Sequence, residues 1–302
     1  MYQKSFSSVA PVEDHRKREK GVLVYPVYSR RSGGLSIGIN LFPDKKLCSF
    51  DCPYCEVFPF STRAEFSPGQ MEEDLIAAIA AALERKIPVR DICFSGNGEP
   101  TMSAYFPEAL ERAGRVRREM AAGAELVLIT NGSGLLDEKL FSLLHDAASG
   151  ALKLDIWLKL DAGTPEWYKK MNRCNLPFET ITEKIKEFAA CAPVTIQTMI
   201  CAIDGESPPP EEGRGWEKLI LELAANASLN GVAEGSGGAI RKVQIYGKAR
   251  PSPEDPKTTA LPLEFLESRA ASLRTALATA FAKANAVALG AINIIPKVEV
   301  YP

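Results

Sequence analysis

Histidine is nearly missing from this chain: His15 and His145 are the two present in 302 residues. Imidazole-based metal centres or acid–base machinery are therefore confined to two positions, and neither sits in a ligand-like pattern. No uncharged apolar run reaches about 18 residues, the length a membrane-spanning helix needs. Residues 1–8 lack the apolar stretch of a signal peptide, and the odd number of cysteines, seven, does not suit a disulfide framework. The expected location is the cytoplasm, with no membrane partner. A strong charge of either sign is also lacking. Lys plus Arg is 36 against 38 Asp plus Glu, a net charge of −2, which speaks against a constitutive nucleic-acid binder. Local basic stretches do occur at residues 15–20 (HRKREK) and at Arg30-Arg31, the kind of short run that is commonly a solvated segment.

What the chain does have is three cysteines bunched as C-x3-C-x2-C: Cys48, Cys52 and Cys55. Three thiolates on one short loop can each take one corner of a cubane iron–sulfur cluster, leaving the fourth iron without a protein ligand. A structural zinc site usually wants four ligands in paired knuckles, and neither the histidines nor a second cysteine pair supplies them. Cys93, Cys174, Cys191 and Cys201 stand singly in apolar or mixed surroundings and read as ordinary buried thiols.

Strand-like and helix-like segments alternate along the chain. Strands are expected at 35–41, 89–95, 125–130, 153–160, 194–200 and 242–246. Helices are expected near 71–85, 107–120, 137–145, 178–190, 216–225 and 263–284, with 293–301 as an added edge strand. Six successive βα units predict a parallel sheet with right-handed crossovers. Several strands carry polar residues on one face: Ser36, Gly38 and Asn40; Lys159 and Asp161; Thr195 and Gln197; Gln244, Tyr246 and Lys248. A doubly wound sheet would read as continuous apolar runs, so the expected fold is α/β, a partial (βα)6 TIM-like barrel with a wet or occupied interior. The expected division is an N-terminal extension over 1–34, the barrel over 35–250, and a C-terminal helix with edge strand over 251–302. Residues 205–215 (GESPPPEEGRG) and 226–238 (NASLNGVAEGSGG) read as mobile loops, either plain connections or lids.

The cysteine loop follows the first expected strand, and Tyr54 precedes its last cysteine. Residues 95–100 (SGNGEP) follow the second strand, where the radical S-adenosylmethionine (SAM) superfamily carries a glycine-glycine-glutamate motif. The chain resembles that superfamily on these motifs. Residues 28–31 (YSRR), 36–40 (SIGIN), 52–56 (CPYCE), 243–246 (VQIY) and 249–251 (ARP) resemble one branch of it, which groups iron–sulfur oxidoreductases with the radical SAM enzymes of wyosine synthesis on tRNA.

The resemblance implies a [4Fe–4S] cluster and SAM as cofactors. The reduced cluster would cleave SAM to methionine and a 5′-deoxyadenosyl radical, which abstracts a hydrogen from a substrate. Cys48, Cys52 and Cys55 would ligate irons, with Tyr54 beside the cluster and its main chain meeting the adenine. Gly96, Gly98 and Glu99 would hold SAM's ammonium group, while Asn131, Asp161 and Gln197 are candidates for its ribose or methionine carboxylate. Lys159, Lys248 and Arg250 are candidates to face an anionic substrate. The motifs identify no residue that acts on the substrate itself.

The expected partners are a small-molecule, peptide or protein substrate and a low-potential electron donor such as a flavodoxin or ferredoxin. A tRNA substrate is not favoured. The wyosine-synthesis enzymes carry further cysteines upstream for a second cluster, and here no cysteine precedes Cys48. Activation of a partner protein is an alternative reading. A non-catalytic electron-transfer protein is the competing class, and it leaves the SGNGEP stretch and the polar strand faces unexplained.

Overall fold

Helix α1 (Pro68–Glu84) shows why the periodic segments fold as they do: Met71, Leu75, Ala78, Ile79 and Ala82 share one buried face. Ser67 caps it by accepting from Gln70 N, and Pro68 stands in its first turn, where a missing N–H costs nothing. The computed structural model describes residues 20–229, 240–287 and 295–302. In chain order the further elements are β1 (Val24–Ser29) and β2 (Gly34–Ile39), both before α1; then β3 (Val89–Phe94), α2 (Phe106–Met120), β4 (Glu125–Thr130), α3 (Glu138–Ser149) and β5 (Leu154–Lys159). There follow α4 (Pro165–Met171), α5 (Phe178–Cys191), β6 (Val194–Ile200), the short β7 (Ala202–Ile203), α6 (Pro210–Leu229), β8 (Ile240–Gly247), the short β9 (Thr258–Thr259), α7 (Leu263–Val287) and β10 (Lys297–Tyr301).

Eight strands form one sheet in the order β1-β2-β3-β4-β5-β6-β8-β10, parallel throughout except for β1. The sheet curls so that the turn between β1 and β2 reaches the end of β10. Arg30, in the turn between β1 and β2, donates to the carbonyl of Pro302, and the Tyr301 hydroxyl lies 3.3 Å from the carbonyl of Arg31. The architecture is thus the expected partial barrel, with six βα units and an extra strand at each edge.

Three expectations need adjusting, and one helix was not anticipated. The sheet begins at Val24, inside the stretch assigned to the N-terminal extension. Pro26 interrupts that run, and an edge strand is where a sheet tolerates proline. Helix α4 is short enough to escape a periodicity argument. The stretch 205–215 is no free loop, because α6 starts at Pro210 and its Glu212 carboxylate accepts from Gly163 N (2.6 Å) and Thr164 Oγ1 (2.7 Å). The stretch 226–238 divides: 226–229 complete α6, and the rest lies outside the described residues, as does the basic run before Lys20.

Several interior polar side chains pair with one another: Ser36 donates to Asp91, Thr195 Oγ1 and Trp157 Nε1 donate to the two oxygens of Asp155, and Gln197 donates to Gln244 (3.0 Å), whose own Nε2 is buried without a partner among the described residues. Gly38 leaves room for the Tyr25 ring, whose hydroxyl reaches Ser95 Oγ at 3.0 Å.

A close backbone approach holds α6 against the loop after β5. A Cβ on Gly163 would fall 1.9 Å from Trp216 N. Gly163→Ala is therefore expected to cost about 1–3 kcal/mol in urea denaturation. Gly123→Ala, which meets nothing within 4 Å, is expected to stay within about 0.5 kcal/mol of wild type.

Candidate active site

The cysteine loop leaves the C-terminal end of β2 and docks on the turn that leaves β3. Leu47 N donates to Asn97 O (3.2 Å), and Glu99 N donates to Leu47 O (2.8 Å), a short parallel bridge between the two motifs. Both glycines of the turn serve this docking. A Cβ on Gly98 would stand 1.9 Å from Leu47 O, and Gly96 has φ +135° with Asn40 packed beside it. Asn40 Oδ1 accepts from the backbone N–H groups of Phe42 and Asn97, both at 3.2 Å, so the end of β2 fixes both partners. The closeness that glycine permits here is to the protein's own backbone.

Glu99 is buried, and its carboxylate is largely committed to protein donors. Oε1 accepts from Thr101 N (3.2 Å), Thr101 Oγ1 (2.7 Å) and Thr130 Oγ1 (2.7 Å), while Oε2 accepts from Asn131 N (2.7 Å). Burial raises its pKa, and these hydrogen bonds work against that rise. A carboxylate has about four acceptor positions, two on each oxygen, so what is left for a ligand's ammonium group lies on Oε2. The motif's glutamate is first of all the brace between the ends of β3 and β4.

Asn131, just past β4, returns to the cysteine loop. Its Nδ2 donates to Ser49 Oγ at 2.9 Å and lies 3.6 Å from Cys48 Sγ. Asp161, just past β5, collects four donors: Tyr54 Oη (2.5 Å), Asn172 Nδ2 (3.2 Å), Met199 N (2.8 Å) and Lys159 Nζ (3.2 Å). Burial and then the Asp161 carboxylate hold the Tyr54 phenol well above its ordinary pKa, so it stays a donor. Burial alone would lower the Lys159 ammonium, but Asp161, Tyr246 and Cys52 together outweigh it and hold the pKa above the ordinary value. Gln197 is paired with Gln244 inside the barrel.

Three cations expected to face a substrate are already engaged. Lys159 binds Asp161 and the Tyr246 hydroxyl, Lys248 binds Asp255, and Arg250 lies 3.0 Å from Glu56. Arg31 packs over the Tyr246 and Trp157 rings, 5.0 and 5.8 Å from their centroids, so it is no part of a surface basic run.

Asn172 escaped the sequence reading. It is the C-cap of α4 and is buried, with Nδ2 3.7 Å from Cys52 Sγ as well as on Asp161. The available signal was Thr164-Pro165, an N-cap followed by proline at the first helical position. Thr164 Oγ1 does accept from Trp167 N, at 3.3 Å.

The three cysteines are the donor set of a cluster, although among the described residues their side chains are not gathered into a ready-made metal site. All are half-buried on one loop, Cys52 and Cys55 line a hollow of about 340 Å³, and Phe50 N donates to Cys48 Sγ at 3.4 Å. Burial pushes the Cys48 thiol up to about 11 and the Cys52 thiol up to about 12, so ligand binding there displaces protons.

The chain matches the family model described as the Radical SAM superfamily over residues 46–212. A UPF0026 protein of Helicobacter pylori is 30% identical over 131 residues, which cover 43% of this chain and 41% of that protein. The matched stretch thus spans about two fifths of this relative. A UPF0026 protein of Synechocystis sp. is 28% identical over 213 residues, covering 68% of this chain and 73% of that protein. Among solved structures, Streptococcus suis SuiB bound to precursor peptide SuiA superposes with a TM-score of 0.51 at 13% identity, over 85% of this chain and 49% of SuiB. SuiB bound to S-adenosylmethionine gives the same TM-score over 85% and 48%. At that identity the likeness is one of fold.

Removing the Glu99 carboxylate strands four donors in a buried place. Glu99→Ala is expected to destabilise the metal-free protein by about 3 kcal/mol or more in urea titration, since an unsatisfied buried donor costs about 1–3 kcal/mol. A variant as stable as wild type would show that the brace carries no load.

Proposed function

This chain belongs to the radical SAM superfamily, and from that premise we propose that it abstracts a hydrogen atom from a small-molecule, peptide or protein substrate held at the barrel mouth. Members of the superfamily use a [4Fe–4S] cluster and S-adenosylmethionine, and these are the cofactors of this chain. The chemistry they supply when bound is one-electron cleavage of SAM to methionine and a 5′-deoxyadenosyl radical.

The observation that carries the reading is the convergence on Asn131. Its backbone N–H binds Glu99 and its side chain reaches Cys48, so the ends of β2, β3 and β4 meet at one point. Cys48, Cys52 and Cys55 would hold the cluster. The Gly96–Glu99 main chain, fixed on Leu47, would flank SAM's methionine end. Tyr54, tethered through its hydroxyl to Asp161, would set a rigid wall beside the adenine. Phe50 packs edge-on against Tyr168 (5.9 Å between ring centroids) under the same loop, and both are buried, which keeps water from its base. The electron would come from a low-potential donor such as a flavodoxin or ferredoxin. The alternative of a non-catalytic electron-transfer protein gives no reason for the bridge between the cysteine loop and the β3 turn.

Anaerobic reconstitution is expected to yield one cluster, about four irons per chain. Cys52→Ala should lose it, and Cys191→Ala, whose thiol bonds its own helix at Phe188 O (3.3 Å), should retain it. About eight irons with two paramagnetic signals would contradict the single-cluster reading.

The paired state of Lys159, Lys248 and Arg250 supports a substrate other than free tRNA, because affinity for a polyanion comes largely from unpaired cations meeting phosphates. Total tRNA is expected not to bind with submicromolar affinity at physiological salt in a gel-shift titration. Salt-sensitive submicromolar binding would move the reading to tRNA modification.

A further inference from the structure

We propose that Asn131 and Asn172 are positioning residues that set the reduction potential of the cluster, each by donating one side-chain N–H to a ligating sulfur. The proposal rests on the cluster reading above and concerns two residues that need not touch SAM or substrate.

Each amide is oriented by its other contacts, so the group facing the sulfur is identified as nitrogen. Asn131 Oδ1 accepts from Ser133 N at 2.9 Å, which turns the oxygen away from the loop. Its Nδ2 has two hydrogens, one for Ser49 Oγ and one for Cys48 Sγ. Asn172 Nδ2 divides its two hydrogens between Asp161 Oδ2 and Cys52 Sγ. Both residues are almost wholly shielded, at 4% and 1% exposure, so water does not replace the amide. Backbone bonds fix them as well: Asn131 N is on Glu99, while Asn172 N is on Tyr168 O and its carbonyl accepts from Asp51 N, next to Cys52.

Reduction adds one negative charge, shared between the irons and their sulfurs. An N–H aimed at a ligating sulfur stabilises that added charge more than it stabilises the oxidised form, and so raises the potential. Two thiolates are served by two braces of the same construction. Glu99 holds Asn131 against Cys48, and Asp161 holds Asn172 against Cys52. The carboxylates that the superfamily resemblance links to SAM therefore also set the donors to the cluster.

The test is an EPR-monitored redox titration of the full, reconstituted chain beside Asn131→Leu, Asn172→Leu and the double variant, with iron content measured first. Each single variant is expected to keep its irons and lower the equilibrium constant for one-electron reduction several-fold, up to about tenfold, where tenfold is about 59 mV. The double variant should show the product of the two effects. Full iron content with an unchanged midpoint potential would overturn the proposal and leave the cluster reading intact. A wild-type chain that takes up no cluster would overturn the cluster reading instead. A second measurement needs no variant: wild-type protein isotopically labelled at the asparagine side-chain nitrogen should show hyperfine coupling of that nitrogen to the reduced cluster, and its absence would overturn the proposal.

Discussion

The backbone bridge between Leu47 and the Asn97–Glu99 turn is the constraint on which the site depends. A loop carrying three cysteines has no shape of its own. Here it acquires one because Leu47 gives its N–H to Asn97 and its carbonyl to Glu99. That ladder requires glycine at position 98, since any side chain would occupy the place of Leu47 O. From Glu99 the order passes to Thr130 and Asn131, and from Asn131 back to Ser49 and Cys48, closing a ring of contacts across the ends of three strands.

A second hub stands on the other side. Asp161 takes donors from the cysteine loop (Tyr54), from β5 (Lys159), from β6 (Met199) and from the cap of α4 (Asn172). A buried carboxylate is costly without such partners, and with four of them it becomes the point where the loop is pinned to the barrel. Lys159 meets the same carboxylate and the face of Tyr54, 5.1 Å from its centroid, so its charge is spent on holding the site together. Glu99 and Asp161 thus act on the cysteine loop from opposite sides, and both are shielded from solvent.

Much of this was legible in the sequence, and the limits have physical causes. Helices with a clear apolar face, such as α1 and α5, and the strands β4 and β6 follow directly from residue spacing. The cysteine spacing and the SGNGEP turn pointed to the candidate site, because both are short-range patterns. Strand β1 was hidden by Pro26, which reads against a strand until its edge position is known. The bond between Asn172 and Cys52 spans 120 residues and exists only because α4 packs beneath the loop. The commitments of Glu99 and of the three cations could not be read either. A charged residue in a motif looks available until the fold supplies its partner, as Asp255 does for Lys248 and Glu56 for Arg250.

The central claim is that this three-cysteine loop, held by Leu47, Asn131 and Asp161, positions a cluster to cleave S-adenosylmethionine. The most direct measurement is the yield of 5′-deoxyadenosine from the anaerobically reduced, reconstituted protein given SAM, with the cluster's EPR signal recorded before and after addition. Slow release of 5′-deoxyadenosine, even without the natural substrate, and a changed EPR signal are the predicted results. An unchanged signal with no 5′-deoxyadenosine, from protein holding its full iron, would contradict the account and leave an electron-transfer centre in its place.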